Sequence, residues 1–86
     1  MGYQEERRDR FNDAVRAIKL AAGCLDCGYN AEAVALGFDH RPGERKRFGI
    51  AKAANRAWPE VLAEMAKCDI VCANCHNIRT AQRRQL

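Results

Sequence analysis

The sequence has no apolar run near the roughly 18 residues needed to cross a bilayer. Its first ten residues, MGYQEERRDR, are charged where a secretory signal would be apolar. Neither a membrane anchor nor export is expected, which points to the reducing cytoplasm. Gly2 follows Met1, but Glu6 stands where an N-myristoylation motif needs Ser or Thr. Glycine (6) and proline (2) are scarce, and no repeat or low-complexity tract is present, so a disordered chain is not expected. With only two histidines in 86 residues, each one becomes a candidate for chemistry. A chain of this length makes one domain, 1–86, and buries only about 60% of its unfolded surface. Such a core needs a staple.

Cysteine is abundant: five residues, four of them paired as Cys24-x2-Cys27 and Cys72-x2-Cys75. Two residues between thiols let both sulfurs reach one ion from a single tight turn. Two such turns complete a tetrahedral four-sulfur zinc site, which has no open position and is therefore structural. Two redox pairs, two disulfides or an iron–sulfur cluster use the same spacing. Cys68 is left over and reads as a small buried apolar residue.

Hydrophobic spacing places the elements. Phe11, Val15, Ile18 and Ala22 form one stripe at helical period over 3–22, and Gly23 stops the helix. The stripe is expected to pack on the zinc half of the molecule. Residues 33–40 read as a strand with Val34, Leu36 and Phe38 on one face, ended by Arg41-Pro42-Gly43. Pro59 starts a helix over 59–67 with Trp58, Leu62 and Met65 as its apolar side. A strand over 69–72 and a helix over 75–84 close the chain. Trp58, Phe38 and Phe11 are expected in the core. The whole is a small α+β fold: an N-terminal helix (1–23), a zinc-stapled core (24–80) and a basic tail (81–86).

If zinc clamps the two cysteine turns together, Asp39 and His40 at the first strand's end approach His76, which follows the last thiol. A carboxylate facing an imidazole suits a divalent ion. Neighbours on a strand point to opposite faces, so the geometry favours one ligand and one base. Ordinary surface histidines are the plainer reading of the same residues.

The stretches CLDC (24–27), FDHRPG (38–43) and CANCHNIRT (72–80) together resemble the HNH endonuclease family. The position of His76 is also similar to that of a metal-binding Asn in recombination endonuclease VII. The resemblance implies a ββα-metal (His-Me finger) core and metal-dependent hydrolysis of DNA phosphodiester bonds. It makes His40 the general base, Asp39 and His76 ligands of a catalytic Mg²⁺ or Mn²⁺, and the four paired cysteines ligands of structural Zn²⁺. Phosphate contacts are then expected from Arg41, Arg45, Lys46, Arg47, Arg79 and Arg83, with a monomer or weak homodimer acting on DNA. Many relatives are phage-encoded and work beside a packaging terminase, which makes a terminase a candidate partner in a bacterial or phage-infected cell. One departure stands out: the family's middle Asn falls near Lys67 or Cys68, leaving His40 to be oriented by a backbone carbonyl. A zinc-stabilised module that only binds nucleic acid, and a thiol redox switch, are the competing classes.

Overall fold

A computed structural model describes residues 3–85. Residues 1, 2 and 86 of the expected helix and tail lie outside them. Over the described residues the chain is a small α+β fold of three α-helices and one two-stranded antiparallel sheet. Helix α1 (Tyr3–Ala22) ends where expected: Gly23 takes φ 68° and its N–H donates to the Lys19 carbonyl at 2.8 Å. That left-handed conformation costs an L side chain energy, and a Cβ there would lie 3.3 Å from the Asn30 Cβ.

Strand β1 (Leu36–His40) pairs with β2 (Cys68–Cys72) in the register Leu36 to Cys72 and His40 to Cys68. The first strand is shorter than the alternation of apolar residues implied. Residues Ala33–Ala35 form a 3-10 turn, and Val34 is 91% exposed instead of sharing a face with Leu36. The partner strand explains the start: Cys72, opposite Leu36, is already the N-cap of helix α3 (Ala73–Arg84), so nothing remains to pair with 33–35. Helix α3 begins two residues earlier than expected and absorbs most of the basic tail.

Helix α2 (Trp58–Met65) carries Pro59 in its first turn, but its buried face differs from the expected one. Val61 and Glu64 are buried, while Trp58 and Leu62 are 38% and 44% exposed. Adjacent helical positions lie about 100° apart, and a buried carboxylate with partners inside the fold turns the face from Leu62 to Val61.

The interior has two centres. Phe11 and Val15 pack with Ala53 and Val61, with the Trp58 ring edge-on to Phe11. Cys24, Leu36, Val71 and Cys72 form the other. The α1 stripe therefore packs on α2 and the turn before it, and also on Phe38 of β1, while α1 meets the 33–35 turn that leads into that strand. Among the described residues no helix is long and apolar enough to cross a membrane.

Candidate metal centre and the strand-end cluster

The four paired cysteines meet. Their Sγ atoms all lie within 4.8 Å of one another, and those of Cys27 and Cys72 are 3.7 Å apart. A tetrahedral ZnS4 site with Zn–S near 2.3 Å has edges of about 3.8 Å, so the cluster could hold a metal ion such as zinc. Local chemistry builds it. The Gly28 N–H donates to the Cys24 carbonyl and the Cys24 N–H to the Tyr29 carbonyl, both at 2.8 Å, closing the first turn. The Leu25 N–H donates to the Ile70 carbonyl at 2.8 Å and docks that turn on β2. Cys72 caps α3, its sulfur accepting from the Cys75 N–H at 3.5 Å.

The thiols differ in acidity. Burial raises the Cys24 thiol, but backbone groups of Cys72, Cys27 and Asp26 outweigh it and bring it down to about 6. Burial and the neighbouring sulfurs push Cys75 well up. Four thiolates cannot collect in one place without a cation between them, which is what a divalent ion supplies. Cys68 stands apart. Burial, then the nearby Glu64 carboxylate, raises its thiol to about 11, and its S–H donates to the Glu64 carbonyl at 3.5 Å.

The strand end sends its two polar side chains to opposite faces. Asp39, 5% exposed, faces α3. Arg83 Nη1 donates to its Oδ1 at 3.1 Å, and Arg83 Nη2 and Arg79 Nη1 each donate to its Oδ2 at 2.9 Å. His76 Nδ1 lies 3.7 Å from Oδ1. Burial alone would raise the Asp39 carboxyl, but Arg83 and then Arg79 hold it below its ordinary range. Asp39 and His76 are therefore neighbours, yet both carboxylate oxygens already accept from guanidinium groups.

Arg79 joins four elements. Its Nε and Nη2 grip Asp26 at 2.7 and 2.8 Å, and its Nη1 serves both Asp39 and Asp69, the latter at 3.0 Å. Asp39 and Asp69 stand opposite each other in the sheet, where like charges repel, and this guanidinium offsets them. Arg79→Ala is expected to lower the melting temperature and to return the Asp26 carboxyl, which Arg79 holds down, to its ordinary range. A carboxyl NMR titration of the two proteins checks this.

His40 faces α2. Its Nε2 lies 2.8 Å from Glu64 Oε2, which also accepts from the Arg47 N–H at 3.0 Å. Glu64 Oε1 accepts from Lys67 Nζ at 2.9 Å. Burial would raise the Glu64 carboxyl, but the Arg47 N–H, Lys67 and His40 together hold it at about 2. The carboxylate is ionised at neutral pH, so Nε2 carries the proton and, in the neutral ring, Nδ1 is the open acceptor.

Glu64 replaces the backbone carbonyl expected to hold His40. Asn55, Asn74 and Asn77 are all exposed. The one sequence signal for Glu64 was a carboxylate next to the apolar side of α2 with Lys67 three residues on. Of the residues expected to meet phosphates, Arg79 and Arg83 are engaged as above. Arg41 donates to the Cys68 and Ala66 carbonyls and to Asp69 and Glu44. Arg45, Lys46 and Arg47 stand exposed, with Arg47 reaching Glu60 at 3.9 Å.

Compared with models of known protein families, with curated proteins and with solved structures, the chain gives no match.

Proposed function

We propose that the chain is a zinc-stapled endonuclease of the HNH kind, with a ββα-metal core made by β1, β2 and α3, that hydrolyses DNA phosphodiester bonds. The observation that carries this reading is the approach of Asp39, from a strand end, to His76, from the helix that follows the four-cysteine cluster, with His40 held by Glu64 on the other face of the same strand end. Asp39 and His76 would hold one divalent ion, provided Arg83 gives up its hold on the carboxylate. Such an ion, Mg²⁺ or Mn²⁺, would stabilise the charge that grows on the scissile phosphate. His40 takes a proton from the attacking water at Nδ1, while Glu64 holds the ring through Nε2 and stabilises the imidazolium that forms. Arg45, Lys46 and Arg47, next to the base in the chain, are placed to meet phosphates and set register rather than sequence preference.

The guanidinium groups on both oxygens of Asp39 favour a second reading, a non-catalytic nucleic-acid-binding module, in which the arginines are the permanent partners of that carboxylate. Nicking of supercoiled plasmid by the zinc-loaded protein, with and without added Mg²⁺ or Mn²⁺, separates the two. Nuclease action predicts metal-dependent open circles and a fall of about 100-fold or more in His40→Ala, at unchanged zinc content. Full activity in His40→Ala would remove the base role. No nicking with any ion, by protein that still binds DNA, would leave the binding module.

A further inference from the structure

Helix α1 carries a second stripe beside the one that packs. Arg8, Asn12, Arg16 and Lys19 recur at i, i+4, i+8 and i+11, so they share a face. Three concavities run into one another along it. The first lies between Arg8 and Asn12 on α1 and Lys52 and Asn55 on the facing turn. The second holds Asn12, Arg16 and Lys19 against Ala51 and Val34. The third runs from Val34 over Gly37 and Phe38 to His76. Asn12 and Ala51 belong to the first two, and Val34 to the last two.

Four cations and no carboxylate line this groove, in a chain that has eleven acidic residues. Among the described residues no carboxylate pairs with Arg8, Arg16, Lys19 or Lys52. The Lys19 ammonium lies 5.9 Å over the Phe38 ring, at the passage from the second concavity to the third. From Arg8 to Lys19 the stripe measures about 16 Å, the rise of about five nucleotides at ~3.4 Å each.

We infer that this groove is a binding track for a nucleic-acid backbone, with α1 as its cationic wall and His76 at its end. A groove with three cations on α1 and Lys52 on the facing turn fits a strand of phosphates, whereas a bilayer presents a broad plane. The end point at His76 rests on the nuclease reading, and the binding along α1 does not. The track adds a second contact surface to residues 45–47, on a helix whose first arginines alternate with acids and otherwise read as a solvated face.

The test is anisotropy of a short labelled DNA duplex with zinc-loaded full-length protein over a salt series, without added divalent ion. Arg8→Gln and Arg16→Gln are both exposed positions, and zinc content and helicity verify their folding. Each variant is expected to weaken binding and to reduce the slope of log K against log salt by about 0.9. Arg10→Gln, on the far side of α1, should leave the slope unchanged. An unchanged slope in the Arg8→Gln/Arg16→Gln double variant overturns the track, and so does an equal fall in Arg10→Gln. Capture by phosphatidylserine vesicles that depends on Arg8 and Arg16, without DNA binding, overturns it in favour of a membrane surface. If the slope falls as expected and plasmid is never nicked, the track stands and the nuclease reading fails.

Discussion

Cys24→Ser and Cys72→Ser are each expected to abolish the folded state. Both residues are buried, at 3% and 7% exposure, and both belong to the second interior centre with Leu36 and Val71. The other centre has four buried members, two of them from α1. A domain of this size has a net stability of about 5–15 kcal/mol at best, and a structural zinc site contributes roughly 10 kcal/mol or more of apparent binding energy. Losing one ligand therefore removes most of the margin. Elemental analysis should find one zinc per chain, and a chelator should erase the cooperative melt seen by circular dichroism. Cys68→Ser is the control and should keep both the metal and the melt, because its thiol lies outside the cluster. A Cys24→Ser protein that melts like the parent would show that the sulfurs do not hold the fold. Thiol counting also separates the alternatives: a zinc site leaves all five thiols alkylatable after denaturation, and two disulfides leave one.

Glu64→Ala should give the largest effect away from the cysteines. The carboxylate is 1% exposed and serves His40, Lys67 and the Arg47 N–H together. Its removal strands an ammonium and an imidazole against a hole in α2, and a fall in melting temperature of about 10 °C or more is expected. Glu64→Gln keeps the volume and loses the charge, so it should fold better than Glu64→Ala. It still releases the fixed proton on Nε2 of His40, which 15N chemical shifts of the ring report directly. The acid limb of stability carries the same signature. The folded-state value of Glu64, about 2, lies below its ordinary 4.5, so the carboxylate's contribution is fully present above pH 4.5. It is lost as pH falls toward 2. Metal release on thiolate protonation also destabilises at low pH. The difference between parent and Glu64→Gln melts isolates the carboxylate part and should shrink toward zero at the acid end. A difference that stays constant with pH would contradict the assignment.

What could be read from the chain was what depends on neighbours in sequence. The α1 stripe, Gly23 as its stop, the two cysteine turns and the second strand follow from spacing alone. The meeting of Asp39 with His76 follows from those turns once they share an ion. The rest depends on partners far along the chain. Val34 continues the alternation of β1 but has no strand opposite, because Cys72 already begins α3. Leu62 and Val61 serve the α2 periodicity equally well, and the choice falls to Glu64, whose partners His40 and Arg47 lie well before it. Arg79 and Arg83, at i and i+4 in a basic run, look like surface charge until Asp26, Asp39 and Asp69 are brought beside them.

The sheet has a consequence for biosynthesis. Its two strands are joined by residues 41–67, with α2 inside the connection, so no tight turn sets their register. The register is fixed at its two ends: by the cysteine turn, through Leu25 and Ile70, and by the Arg41 N–H donating to the Lys67 carbonyl. During synthesis Cys24, Cys27 and β1 are made before Cys72 and Cys75. Until then half a metal site and an unpaired strand edge travel with the exposed apolar stripe of α1. The interval before the second cysteine pair emerges is thus when this chain is most open to a wrong metal, a wrong strand or a chaperone.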